Sequence, residues 1–194
     1  TYAAAKNWKD TESRNALDQN IQDLVILLAT NGLIKKDDKK TFTITRTGRI
    51  CASSGLTLET FKTVLQIAED SILSALDIAV IVSFSGEAGP NGVNLRLSTE
   101  EYHNRTPFFI SSLRDAAATI EAPLAQAMLD DLPDSSLPSY ERVKTLKYQA
   151  IAIAYISGIA SRDIENKFGV SSGRAKVIGS MCAWLCDNAA AVAW

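Results

Sequence analysis

Only one stretch of this chain, Thr41-Phe42-Thr43-Ile44-Thr45, alternates between apolar and β-branched polar residues in the manner of a half-buried strand. Almost everywhere else the apolar residues return at three- and four-residue intervals, the spacing of a helix face. That imbalance restricts the fold to a mainly α architecture carrying one small hairpin.

The first 66 residues read as helix, two-stranded wing and helix, a winged-helix pattern. Ala16, Leu17, Ile21, Leu24, Val25, Leu27 and Leu28 mark the first helix, with Ser13 or Asn15 as its cap and Asn31-Gly32 as its stop. Leu33-Ile34 opens the hairpin, Lys36-Asp37-Asp38-Lys39 turns it, and Thr47-Gly48-Arg49 closes it ahead of a short helix from Ile50. Thr57 caps a further helix through Leu65. Residues 67–194 read as a helical bundle. Its expected helices are Ala68–Val82, Phe108–Leu129 (ended or kinked at Pro123), Tyr140–Gly158, Ser161–Phe168 with Ser161 as cap, and Ser172–Ala191. Residues 83–107 and Asp130–Ser139 read as loops.

Composition and charge exclude several functions. The formal charge is −2, so any polyanion contact must come from a local patch. Residues 71–140 carry −6 and residues 141–194 carry +3, which places that patch late in the chain. One histidine, His103, leaves no His-rich metal site and argues against histidine catalysis. Neither GxxxxGK[ST] nor GxGxxG occurs, and Gly86, Gly89 and Gly92 sit in a polar stretch that reads as loop. Asp130, Asp131 and Asp134 read as a solvated loop rather than a metal site. Three cysteines without a CxxC favour reduced thiols and an intracellular setting, cytoplasmic or nuclear. No signal-peptide pattern and no apolar run of about 18 residues is found, so no membrane role is expected. The sequence opens on Thr1 and reads as a fragment of a longer polypeptide.

Two segments carry candidate chemistry. On the helix Tyr140–Gly158, Leu146, Ala150 and Ile153 fall on one side, while Lys144, Lys147 or Tyr148, Ile151 and Tyr155 recur along another. Cations beside an aromatic suit an unpaired polynucleotide, the cation meeting phosphate and the ring stacking on a base. The same residues also suit an ordinary amphipathic helix. The unit Asp163–Arg174 reads as a helix-turn-helix in which Gly169 turns the chain, Val170 plugs the core, and Ser171, Ser172, Arg174 and Lys176 stand at a helix N-terminus. The helix before the wing, by contrast, has no lysine or arginine between Ala16 and Thr30 and displays Asp18 and Asp23, which opposes groove reading. On the wing, Lys35, Lys36, Lys39 and Lys40 read as a solvated turn in preference to a backbone contact.

Residues 20–55, with Leu24, Leu28, Asn31-Gly32-Leu33-Ile34, Phe42-Thr43-Ile44-Thr45, Gly48-Arg49 and Ala52, resemble the winged-helix domain of Ski-type superfamily-two helicases. Residues 147–189, with Ala152, Tyr155-Ile156, Ile164 through Val170, Gly173 and Ala183-Trp184-Leu185, resemble the helical ratchet domain that follows it in that family, closest to archaeal-type repair helicases and the helicase part of DNA polymerase theta. The resemblance implies a winged helix over 1–66 that packs against motor domains, and a ratchet-like bundle over 67–194 with one helix along the translocating strand. It puts Lys147 and Tyr155 at the basic and aromatic positions of that helix, where the family commonly has tryptophan for the aromatic.

The leading expectation is therefore an accessory C-terminal region of an ATP-dependent helicase that grips single-stranded nucleic acid, DNA rather than RNA. Lys144, Lys147, Arg174 and Lys176 would meet phosphates, and Tyr155 or Tyr148 a base. ATP and Mg would belong to motor domains of the same parent chain, and no cofactor or catalytic site is expected in this segment. The alternatives are a winged-helix or helix-turn-helix regulator that prefers duplex, and a protein-interaction module that docks through its acidic middle.

Overall fold

The computed structural model describes residues 11–37, 41–70, 73–86, 88–133 and 136–193. The expectations for Asp38, Lys39, Lys40 and Asp134 lie outside these residues. The described chain is mainly helical, with ten helices and one two-stranded antiparallel sheet. It divides into two compact units, Thr1–Gly55 and Leu56–Trp194. The division falls before residue 66, because the helix capped by Thr57 packs on the last helix of the chain and so belongs to the second unit.

In the first unit, helix α1 (Thr11–Thr30) is ended by Gly32 at φ +68°. The amide of Gly32 donates to the Ala29 carbonyl at 3.0 Å and that of Leu33 to the Leu28 carbonyl at 3.0 Å, the paired bonds of a Schellman stop. The chain then enters β1 (Ile34–Lys36), which pairs with β2 (Phe42–Ile44) in the register Ile34↔Ile44, Lys35↔Thr43, Lys36↔Phe42. The Asp37 side chain accepts from the Thr41 amide at 2.8 Å. Helix α2 (Arg46–Ser54) begins earlier than the sequence suggested. Thr45 leaves the strand, caps the helix by accepting from the Gly48 amide at 3.0 Å, and donates back to the Gly32 carbonyl at 2.7 Å. Gly48 therefore lies inside α2, where a Cβ would overlap the Leu33 carbonyl.

The periodicity that marks α1 as a helix does not find a covered face. Leu17, Ile21, Leu24 and Leu27 are 40–56% exposed, and only Val25 and Leu28 are half-buried. The hairpin side chains Phe42 and Ile44 are similarly open at 48% and 47%.

The second unit holds α3 (Leu58–Asp70), α4 (Ala75–Phe84), α5 (Thr99–Asn104), α6 (Thr106–Ala117), α7 (Pro123–Asp130), α8 (Tyr140–Ile156), α9 (Ser161–Phe168) and α10 (Ser172–Ala193). The expected helix over Ala68–Val82 is two helices, because a Ser74–Asp77 capping box starts α4 afresh. The loop expected over 83–107 contains α5, started by a second capping box between Ser98 and Glu101. Pro123 neither ends nor kinks a long helix. It occupies the first turn of α7, where its missing amide donor costs nothing. At α9 the cap is Ala160, without a side-chain bond, not Ser161.

Helix α8 is the axis of this unit, packed by α4, α6, α9 and α10. Every residue from Leu146 to Ala154 is at most 5% exposed. It is buried on all sides, so the two-faced helix expected from its sequence is not what forms.

Asp77 ties two helix starts together. Its side chain is fully buried, completes the box with Ser74, and accepts from the Leu124 and Ala125 amides at 3.0 and 3.1 Å in the first turn of α7. A carboxylate at two N-termini meets orphan amides and favourable dipoles at once.

Candidate nucleic-acid interface

The six residues singled out by sequence separate into three groups. Lys147 and Tyr148 are interior. Lys147 is 1% exposed, and its ammonium lies 2.5 Å from Glu101 Oε1 and donates to the Arg96 carbonyl at 3.0 Å. Tyr148 is fully buried, and its hydroxyl donates to the Ala88 carbonyl at 2.8 Å. Burial, with Cys182 beside it, pushes the phenol well above its ordinary value. Neither side chain is presented to a polynucleotide, which corrects the expectation for both. The cause is that α8 is enclosed all round, so each polar tip is satisfied inside the bundle.

Lys144 and Arg174 are half-buried and hold loops. Lys144 Nζ donates to Asn91 Oδ1 at 2.6 Å, and Arg174 Nη1 donates to the Val93 carbonyl. Both anchor the segment between α4 and α5.

Tyr155 and Lys176 form the third group. Tyr155 is half-buried near the C-terminal end of α8, where Ile156 through Ala160 are all exposed. Its ring rests on Gly179 of α10, so closely that a Cβ there would overlap the ring. Lys176 is exposed one turn before Gly179 on the same helix. Sequence reading passed over Gly179, although a glycine within a helix costs about 1 kcal/mol relative to alanine and points to a close approach.

The turn between α9 and α10 follows the sequence reading closely. Gly169 is left-handed at φ +63°. Ile164, Phe168, Val170, Ala175 and Ile178 are buried, and Ser171, Ser172 and Gly173 are exposed. Ser171 Oγ accepts from the Arg174 amide at 3.3 Å and caps α10.

Glu101, also passed over, is the acid that receives Lys147. Partial burial raises its pKa, but the Lys147 hydrogen bond, the Ser98 amide and the Lys147 charge outweigh that and hold the carboxyl below its usual value. Among the described residues no group of three His, Cys, Asp or Glu is placed to hold a metal, and no helix is long and apolar enough to cross a membrane. Cys51, Cys182 and Cys186 are free thiols, and burial together with nearby Cys186 pushes Cys182 up to about 12 despite a hydrogen bond with Tyr148. Comparison with protein-family profiles, with curated proteins and with solved structures finds no match.

Proposed function

We propose that this chain is an accessory helical region of an ATP-driven helicase of the Ski-type superfamily-two class, and that it holds a single strand, DNA in preference to RNA. In this reading residues 11–55 act as the winged helix, and the bundle acts as the ratchet. The strand is held by Lys176 at a phosphate and Tyr155 at a base, in place of the buried Lys147. The observation that carries the reading is the seating of the Tyr155 ring on Gly179 beside exposed Lys176. It sets an aromatic ring against Gly179, one helical turn along α10 from the exposed Lys176. Stacking contributes about 1–3 kcal/mol per base, and the lysine adds a salt-sensitive phosphate contact. The exposed stripe Leu17, Ile21, Leu24 and Leu27 on α1 supplies a face for the motor domains that carry ATP and Mg.

A fluorescence anisotropy titration of labelled single strand tests the proposal. The expected result is weak binding at about 50 mM salt that fades by about 200 mM and weakens in Lys176→Ala and Tyr155→Ala. Absence of binding at the lower salt overturns it, as does full affinity in the double variant. A preference for duplex favours a regulator instead.

A further inference from the structure

Between the Asn94–Leu97 loop, α5 and α8 lies an open cleft of about 500 Å3 that plays no part in the Lys176–Tyr155 pair. That volume is in the range of small-ligand sites. Arg96, Ser98, Glu101, Tyr140, Lys144 and Lys147 are among its lining residues. The cations outnumber the acid. Lys147 and Glu101 cancel each other at 2.5 Å. The Lys144 ammonium donates to the neutral Asn91 amide and makes no ion pair among the described residues. Arg96 is exposed and makes no ion pair among the described residues. Among the described residues, then, two cations of this lining have no acidic partner, which favours an anion.

An aromatic ring stands in the same lining. Tyr140 is 42% exposed, and it is held in two ways: its hydroxyl donates to the Leu97 carbonyl, and its ring leans on Tyr102 with centroids 5.7 Å apart. A ring fixed at both ends gives a stacking surface without a large ordering cost. An acidic peptide would use the two cations and leave the ring without a flat partner.

We infer that the cleft binds a nucleotide unit, its phosphate between Arg96 and Lys144 and its base on Tyr140. The phosphate and base come either from a free nucleotide or from one residue of a strand. The inference does not rest on the Lys176–Tyr155 pair.

Amide-resolved NMR titrations of the whole chain with adenosine monophosphate, inorganic phosphate, oligothymidylate and polyglutamate test it. Shifts induced by adenosine monophosphate centre on Arg96, Tyr140 and Lys144. Affinity falls about tenfold or more in Arg96→Ala/Lys144→Ala and in Tyr140→Leu, the scale of a lost charge-assisted hydrogen bond or stacked base. Arg96→Gln alone, which alters an exposed side chain, lowers affinity in a chain whose spectrum is otherwise unchanged. Affinity that grows with oligothymidylate length assigns the site to a strand, and binding confined to adenosine monophosphate assigns it to a free nucleotide. Shifts elsewhere, unchanged affinity in Arg96→Gln, or inorganic phosphate or polyglutamate binding as tightly as the nucleotide overturns the inference.

Discussion

At the scale of single residues, Lys147 decides most. Its position in the sequence suggested a hand held out to phosphate, yet its ammonium closes an interior contact with Glu101 and the Arg96 carbonyl. Replacing it should therefore damage the fold itself. Lys147→Ala is expected to lower stability by about 3 kcal/mol, the lower end for breaking a buried pair, because Glu101 keeps some contact with water. Urea unfolding measures this, and a loss below about 1 kcal/mol would contradict the interior role. Glu101 gives the matching pH effect. Its carboxyl is held below the unfolded-state value, so its contribution to stability is complete above the ordinary glutamate range and is lost as pH falls through the folded value. Thermal melts across acidic pH should show stability dropping there, with a shallower drop in Glu101→Gln. The burial was not legible locally. A lysine every few residues along a helix looks like a solvated face, and its partner lies 46 positions away in a stretch that read as loop.

At the scale of elements, capping chemistry explains where the sequence reading held and where it failed. Helix α9 was bounded correctly because Gly169 provides an unmistakable left-handed stop after an apolar pair, Ile164 and Phe168, that fits one face. The expected helix over 68–82 merged two elements because its apolar spacing runs on across residues 71–74, and the Ser74–Asp77 box was not weighed against it. Helix α5 was missed for the same reason, although Ser98 and Glu101 stand at capping-box spacing. Two substitutions probe the contacts between elements. Gly179→Ala drives a methyl into the Tyr155 ring and is expected to cost about 1–3 kcal/mol, the range for overpacking, seen as a lower melting temperature. Asp77→Ala strands the amides of Leu124 and Ala125 in the interior and should cost about 3 kcal/mol or more, since hydrogen bonds to a charged acceptor contribute about 1.5–3 kcal/mol each. A variant as stable as the parent chain would show that the shared cap carries little weight.

At the scale of the whole molecule, the two units differ in how much they enclose. The first is held by a Schellman stop, a three-pair hairpin and the Thr45 cap, while most of α1 stays open. The second surrounds α8 completely from Leu146 to Ala154. Hydrogen exchange should follow this contrast: α1 amides are expected to exchange through local opening, and α8 amides only through global unfolding. Equal protection in the two helices would contradict it. Sequence alone gave the helical class, the single hairpin and most helix positions, because these depend on local spacing. It did not give which faces are covered, because that depends on contacts between residues far apart in the chain.

Asp77 has a consequence for how this bundle comes apart. Helices α4 and α7 begin on the same carboxylate, and Asp77 and Leu124 are 47 positions apart in sequence. Release of the α4 start takes the acceptor away from the α7 amides, and release of the α7 start leaves the buried Asp77 Oδ1 without its donors. Fraying at one should therefore propagate to the other, so that two distant stretches of chain melt as a single event.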